Sequence, residues 1–221
     1  MGTDVFAELE ALGVVPVVEV EDSAHAVPLA QTLAEAGLPV LEITFRTPAA
    51  GEAVAAIAAE LPDFLLGAGT LLTPDSVAAA VAAGARFGVS PGISPRCVAA
   101  AAEHDFPFIP GAVTPSEVMT CLDSGANHIK FFPAGAYGGV TALSALAGPF
   151  ASAGVRFMPT GGVDASNAAD YLRLPHVFAV GGTWIAPRSD IAQSRWREIA
   201  KRARAVATLF QASRPASADD Q

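Results

Sequence analysis

Two stretches of this sequence place a charged side chain among apolar neighbours. Lys130 lies in residues 127–133 (NHIKFFP), and Glu42 lies in residues 41–47 (LEITFRT). The chain has 13 basic residues, and only Lys130 and Lys201 are lysines. A buried lysine can lose its proton and act as a nucleophile, whereas an arginine stays protonated. We therefore take these two stretches as the first candidates for chemistry.

The alternation of side chains along a strand predicts where these charges point. Glu42, Thr44 and Arg46 share one face of their strand, because residues two apart point to the same side. The outer face of a strand in an α/β protein is covered by helices and must be apolar. The polar face is therefore predicted to point into a closed sheet.

The same alternation applies to two other strands. It places His128, Lys130 and Phe132 on one face, and it places Ala68 and Thr70 together on another. The interior of the sheet is thus expected to receive a lysine, a glutamate and an arginine.

A lysine beside a glutamate is the combination that imine chemistry requires. A neutral amine attacks a ketone, the protonated imine accepts electrons, and the carboxylate transfers protons. Burial disfavours the charged forms of the lysine amine and the glutamate carboxyl. It therefore favours a neutral amine that can attack and a carboxyl group that can exchange protons. A buried Lys–Glu salt bridge that serves only structure is the alternative, although such pairs gain little over apolar packing.

Two glycine pairs indicate a phosphate site. One follows Thr160 at Gly161-Gly162, and the other is Gly181-Gly182, followed by Thr183. Glycines let backbone amides approach an anion, and helix N-termini add positive potential. Glycine also serves tight turns, which is the alternative explanation.

Short apolar runs alternate regularly with alanine-rich amphipathic segments. The predicted strands are 13–20, 39–45, 64–70, 86–91, 107–113, 128–133, 156–161 and 177–184. The predicted helices lie near 23–36, 49–60, 75–83, 95–104, 115–123, 139–147, 165–173 and 190–210. Three helix starts carry a hydroxyl residue before proline, at Thr73-Pro74, Ser94-Pro95 and Thr114-Pro115.

Eight strand-then-helix units predict an α/β fold, a (β/α)₈ TIM barrel. An open, doubly wound sheet is disfavoured because no Gly-x-Gly-x-x-Gly follows the first strand. An extra N-terminal helix at about 3–11 is expected to cover the barrel bottom. Residues 1–210 are expected to form one domain, and residues 211–221 a disordered tail. In such barrels the site lies at the carboxyl ends of the strands.

The charge balance and hydropathy exclude several classes of partner. The net charge is −9, and no basic cluster lies outside the last helix, so no nucleic-acid partner is expected. No apolar run approaches the roughly 18 residues that a membrane span needs. The first ten residues are acidic and lack the features of a signal peptide.

Cysteine and histidine usage points the same way. Cys97 and Cys121 form neither a disulfide framework nor a zinc motif, so a cytoplasmic protein is expected. The four histidines show no metal-ligand spacing, and neither a metal nor another cofactor is expected. His128 and Glu19 stay open, as groups that face the site or only pack.

A set of motifs in order resembles a known family. The motifs are VVPVV (14–18), LEITFRT (41–47), GAGTLL (67–72), SPG (90–92), IPGAVTPSE (109–117), KFFPA (130–134), GGV (138–140), AGPF (147–150), PTGG (159–162) and GGTW (181–184). With them the chain resembles 2-keto-3-deoxy-6-phosphogluconate aldolase, a class I lyase of the Entner–Doudoroff pathway. The resemblance implies a metal-independent homotrimer that yields pyruvate and glyceraldehyde 3-phosphate.

The resemblance also implies roles for individual residues. Lys130 would form the Schiff base, and Glu42 would transfer protons. Arg46, Thr70 and Phe132 would contact the pyruvate portion. The phosphate would be held by the backbone near the two glycine pairs, at Gly161, Gly162, Gly182 and Thr183, with Thr160 adjoining.

Two departures and several alternatives accompany the resemblance. Thr183 stands where a serine is usual, and Gly135 stands where an acidic residue is often seen. The substrate could instead be 4-hydroxy-2-oxoglutarate or the galactonate epimer. A barrel that only binds a phosphorylated metabolite is the alternative from another class, and it would need neither Lys130 nor Glu42.

Overall fold

The computed structural model of the chain describes residues 4–213. The strands are β1 (Val14–Val18), β2 (Val40–Thr44), β3 (Leu65–Gly69), β4 (Phe87–Val89), β5 (Phe108–Ile109), β6 (His128–Phe131), β7 (Arg156–Pro159) and β8 (Val180–Gly182). The helices are α1 (Val5–Leu12), α2 (Ala26–Glu35), α3 (Ala50–Glu60), α4 (Pro74–Ala82), α5 (Pro95–Glu103), α6 (Pro115–Asp123), α7 (Gly139–Ala147), α8 (Ala168–Leu172), α9 (Arg188–Ala192) and α10 (Trp196–Ser213). Two 3₁₀ turns lie at Ser23–His25 and Gly148–Ala153.

The strands form a closed parallel barrel. Six pair in the order β5-β4-β3-β2-β1-β8, and β6 pairs with β7. Parallel bridges close the two gaps, from Gly111 to Lys130 between β5 and β6, and from Thr160 to Gly181 between β7 and β8. The predicted (β/α)₈ barrel is therefore confirmed, and an open sheet is excluded.

Local sequence signals begin three of the helices as predicted. Thr73 and Thr114 accept hydrogen bonds from the backbone amides three residues on and complete capping boxes at α4 and α6. Ser94 caps α5 in the same way, by accepting from the amide of Cys97. Each cap satisfies an amide that has no partner within the first turn.

The last predicted helix differs from the structure. The single helix expected at 190–210 is two helices, α9 and α10, because the chain turns at Ser194 with a φ of 51°. Asp190 accepts hydrogen bonds from Arg195 and Arg202 and so ties the two helices together. Helix α10 reaches Ser213, inside the segment predicted as a tail, and residues 214–221 of that tail lie outside the described residues.

Helix α1 lies across the amino-terminal end of the barrel, as expected. Phe6 stacks on the ring of His128 with the ring centroids 4.0 Å apart, and His128 also meets Phe178 edge to face. Burial, and then the nearby charge of Arg156, lower the pKa of His128. His128 is thus a packing residue of the barrel bottom, far from the carboxyl ends of the strands.

Two further observations bear on the sequence predictions. Cys97 and Cys121 are both buried, and burial, with the charge of Glu117, raises the pKa of Cys121 to about 12. Across residues 4–213, no helix combines the length and apolar character that crossing a membrane requires.

Candidate active site

A cavity of about 170 Å³ opens at the carboxyl ends of the strands, where the barrel fold places active sites. Its walls come from seven of the eight strands or the loops that follow them. They comprise Val17, Val18, Glu19, Thr44, Arg46, Thr70, Pro91, Lys130, Phe132, Thr160, Gly161, Gly162, Val163, Gly182 and Thr183.

Lys130 and Glu42 form an ion pair at the floor of this cavity. Lys130 Nζ donates a hydrogen bond to Glu42 Oε1 at 3.3 Å. The Glu42 side chain is 0% exposed and that of Lys130 is 7% exposed, so water screens this pair little. Glu42 Oε2 has no hydrogen-bond partner within the described part of the chain. The predicted inward pair of Lys130 and Glu42 is present, and Glu42 Oε2 remains available as a hydrogen-bond acceptor.

The two members of the pair differ in their access to the cavity. Lys130 lines it, whereas Glu42 lies behind Lys130 and does not. The ring of Phe132 flanks the amine, with its centroid 5.2 Å from Lys130 Nζ. A molecule in the cavity would meet the lysine first and would reach the carboxylate only past it.

Gly69 makes room for the Glu42 carboxylate. Its strand partner is Thr44, so position 69 faces into the barrel. A Cβ atom at position 69 would lie 2.1 Å from Glu42 Oε1. Any side chain at this position would therefore push the carboxylate away from Lys130.

The prediction that Ala68 shares the inward face with Thr70 is wrong. Ala68 belongs to an outer cluster with Val77 and Ala80, which lie on α4, and the positions of β3 that pair with Glu42 and Thr44 are Gly67 and Gly69. Thr70 nevertheless lines the cavity, because its φ of 61° interrupts the alternation. This left-handed conformation costs a non-glycine residue about 1–2 kcal/mol. Strain of this kind is concentrated at functional sites.

The loop after β7 lines the cavity with residues whose backbone amides have no protein partner among the described residues. Gly161 and Gly162 have φ values of 82° and 80°, a region that favours glycine. Among the described residues, the amides of Gly162 and Val163 donate to no protein acceptor. Asn167 steadies the loop by donating from Nδ2 to the Gly162 carbonyl at 2.9 Å. The loop therefore offers fixed donors to a bound anion.

The mouth of the cavity carries an arginine that was expected inside the barrel. Arg46 lies beyond the end of β2, and its side chain is 63% exposed. Its Nε lies 3.3 Å from Oε2 of Glu19, which the sequence left undecided and which lines the cavity. The strand ends before position 46, so the alternation that buries Glu42 no longer applies there.

The structure brings the predicted site residues together. Of the ten predicted residues, nine line the cavity and Glu42 supports one of them. The cavity residues that the prediction did not name are Val17, Val18, Pro91 and Val163. Thr44 was placed on the inward face without a role, and Glu19 was left open; both line the cavity. Among the described residues, no group of three or more His, Cys, Asp or Glu side chains is placed to hold a metal ion.

Comparison with known proteins gives consistent matches over most of the chain. The family model described as KDPG and KHG aldolase matches residues 5–202. The KHG/KDPG aldolase of Escherichia coli (strain K12) is 47% identical over 191 residues, covering 86% of this chain and 89% of that protein. The 2-dehydro-3-deoxy-phosphogluconate aldolase of Treponema pallidum (strain Nichols) is 46% identical over 195 residues, covering 88% and 92%.

A solved structure shows the same fold. It is the KDPG aldolase of Legionella pneumophila, with pyruvate captured at low pH as a covalent carbinolamine intermediate. It matches with a TM-score of 0.88 and 43% sequence identity, covering 92% of this chain and 98% of that chain.

The close approach of Gly69 to Glu42 generates a prediction. We expect Gly69→Ala to displace the carboxylate, so that the Lys130 Nζ to Glu42 Oε1 distance exceeds hydrogen-bonding range. Disrupting a buried pair should lower the free energy of unfolding by about 3 kcal/mol. Crystallography and denaturant unfolding measure the two effects.

Gly51→Ala is the matched control. Gly51 lies in α3, and a Cβ there would meet nothing within 4 Å. This control should be neutral or gain up to about 1 kcal/mol from better helix propensity. A Gly69→Ala chain that keeps the ion pair and its full stability would contradict the assigned role of Gly69.

Proposed function

The chain belongs to the KDPG and KHG aldolase family, and we propose that Lys130 and Glu42 carry out its reaction. It is a class I aldolase, a carbon–carbon lyase that cleaves 2-keto-3-deoxy-6-phosphogluconate (KDPG) to pyruvate and glyceraldehyde 3-phosphate. The observation that supports the residue roles is the buried Lys130–Glu42 pair beneath a cavity that Lys130 lines. A barrel that only binds a phosphorylated metabolite would need neither group.

The first step is attack of Lys130 on the keto carbon. Its Nζ adds to the C2 carbonyl to form a carbinolamine, and loss of water yields the protonated imine. The relative from Legionella pneumophila, with pyruvate held as a carbinolamine, supports this route. Glu42 accepts a hydrogen bond from Lys130 and can take up the proton that the amine loses. Returned to the carbinolamine hydroxyl, that proton leaves with it as water, and Glu42 is again a carboxylate for the next step.

The second step is cleavage between C3 and C4. Removal of the C4 hydroxyl proton releases the aldehyde, and the electron pair of the C3–C4 bond moves into the imine to form an enamine. Glu42 does not line the cavity, so we assign the proton path to a water molecule between the hydroxyl and Oε2, the free acceptor. Returned to C3, that proton gives the pyruvate imine, and hydrolysis of the imine frees pyruvate.

The substrate lies across the cavity with its two anionic ends apart. We assign the carboxylate to Arg46 and Thr70, and the phosphate to the glycine-rich backbone after β7 and β8. Phe132 packs against the three-carbon portion beside Lys130. The net charge of −9 makes local donors necessary, because the protein as a whole repels an anion.

Assembly and location are also part of the proposal. We infer a homotrimer from the family resemblance. We infer a cytoplasmic location because the two buried cysteines, Cys97 and Cys121, are free thiols, as is usual in a reducing compartment. Leu72, Met119 and Tyr137 are the large hydrophobic residues that stand exposed in residues 4–208. A partner chain that covered some of them would remove apolar surface from water.

Light scattering tests the assembly. We expect a mass three times the 22.4 kDa of one chain. A monomeric mass at micromolar concentration would contradict the trimer and would leave the assigned chemistry unaffected.

The imine is tested by chemical trapping. Borohydride added with pyruvate should attach one three-carbon unit to Lys130 and none to Lys201, as peptide mapping would show. Lys130→Arg keeps the positive charge but cannot form the imine, so kcat should fall by about three orders of magnitude or more. Circular dichroism checks that the variant remains folded. An unlabelled Lys130, or a variant with substantial turnover, would refute the class I mechanism.

The phosphate site is tested by substrate preference. We expect kcat/KM for KDPG to exceed that for 4-hydroxy-2-oxoglutarate by about two orders of magnitude, since several backbone donors reach the phosphate. Gly162→Ala should reduce this ratio, because a Cβ there would lie 3.0 Å from the Gly135 Cα and the φ is positive. Steady-state kinetics with both substrates gives the ratio.

Gly154→Ala is the control for backbone strain. Gly154 also has a positive φ, of 68°, and a Cβ there would meet nothing within 4 Å. It should cost stability without changing the substrate ratio. Near-equal kcat/KM values in the unmodified chain would move the assignment to the hydroxyoxoglutarate activity.

A further inference from the structure

We propose that Glu19 is a positioning residue that holds Arg46 in the orientation required to bind the substrate carboxylate. The inference rests on the proposed function, which assigns that carboxylate to Arg46. Glu19 was open in the sequence, and its role follows from the ion pairs at the mouth of the cavity.

Arg46 needs an external restraint. Its side chain is 63% exposed, so packing does little to select among its conformations. Glu19 is the one carboxylate within ion-pair distance of Arg46 among the described residues. An arginine that is ordered before the substrate arrives loses less side-chain entropy on binding it.

The geometry of the pair leaves the binding end of Arg46 available. The closest approach of Glu19 to Arg46 is from Oε2 to Nε, at 3.3 Å, and among the described residues the terminal nitrogens of Arg46 donate no hydrogen bond. The two terminal nitrogens of a guanidinium form a planar fork that matches a carboxylate. Glu19 thus orients the side chain without occupying that fork.

Glu19 is itself held in place. Its side chain is 18% exposed, and its Oε1 accepts a hydrogen bond from Arg188 Nη1 at 2.7 Å. Arg188 Nη2 pairs with Glu21 at 2.5 Å. Arg188 begins α9, shortly after Gly182 and Thr183. The ion pairs of Arg188, Glu19 and Arg46 therefore connect the loop after β8, which we assign to the phosphate, with the arginine that we assign to the carboxylate.

The negative charge of Glu19 could also weaken substrate binding, because it partly neutralises Arg46. The direction of the change in KM when Glu19 is replaced separates this effect from positioning. If Glu19 acted only by neutralising Arg46, its removal would strengthen the attraction for an anion and lower KM. If Glu19 positions Arg46, its removal raises KM. The position of Glu19 between two arginines favours positioning, because Arg188 already compensates its charge.

The test is Glu19→Gln, which keeps the shape and removes the charge. We expect KM for KDPG to rise about 10-fold with kcat within about 2-fold, because the variant weakens an interaction made equally with substrate and transition state. The half-saturating pyruvate concentration for borohydride trapping on Lys130 should rise by a similar factor. That second measurement reports binding of the carboxylate without relying on turnover.

Two further variants make the result specific. Glu21→Gln is the matched control. It removes one of the two carboxylates that pair with Arg188, as Glu19→Gln does, but Glu21 forms no ion pair with Arg46, so KM should stay unchanged. Arg46→Ala should raise KM by itself, and adding Glu19→Gln to it should have no further effect, because the residue that Glu19 positions is gone.

Each contrary outcome overturns the inference. A lower or unchanged KM for Glu19→Gln would show that Glu19 does not position Arg46. An equal rise for Glu21→Gln, or a rise that persists in the Arg46→Ala background, would show a general structural effect. An unchanged KM for Arg46→Ala would remove the assigned role of Arg46 and this inference, while labelled Lys130 would leave the class I chemistry intact. An unlabelled wild-type chain would refute the proposed function and the inference together.

Discussion

The buried pair of Lys130 and Glu42 is the interaction around which this barrel is arranged. Removing two charges from water is costly, and their attraction at 3.3 Å offsets this cost only where the surrounding geometry holds them together. The pair joins β6 to β2 across 88 positions of sequence, and the closed barrel brings its members into contact. Apolar side chains of similar volume would stabilise the interior without the cost of removing two charges from water. The proposed chemistry therefore gives the pair a reason that packing does not.

The surrounding residues make sense as accommodations to this pair. Glycine stands at position 69 because a side chain there would overlap the Glu42 carboxylate. Thr70 adopts a left-handed backbone conformation and so enters the cavity from a strand whose alternation would direct it elsewhere. Position 69 lacks the packing that a larger side chain would provide, and position 70 is strained. Costs of this kind are expected where a site, and not stability, selects the residue.

The proposed binding mode separates the two anionic groups of the substrate. In that mode, backbone amides after β7 provide neutral donors for the phosphate, and the exposed Arg46 provides a charged fork for the carboxylate. Glu19, which directly follows β1, contacts Arg46 and pairs with Arg188 of α9. An acidic protein can bind a doubly anionic substrate in this way, because short-range donors outweigh the unfavourable field of the whole chain.

The sequence by itself determined the number of β/α units, the capped starts of α4, α5 and α6, and the inward position of Glu42 and Lys130. These features follow from local rules, namely capping, side-chain alternation and the burial of apolar faces. Tertiary structure decided what these rules do not contain. The inward residue of β3 is Gly69 and not Ala68, because the register with β2 matches position 69 to Thr44. Arg46 lies at the mouth because β2 has already ended, and its partner Glu19 follows β1 and pairs in turn with Arg188 of α9. Pairing between strands and ion pairs between distant loops depend on the three-dimensional path of the chain, and no spacing along the sequence encodes them directly.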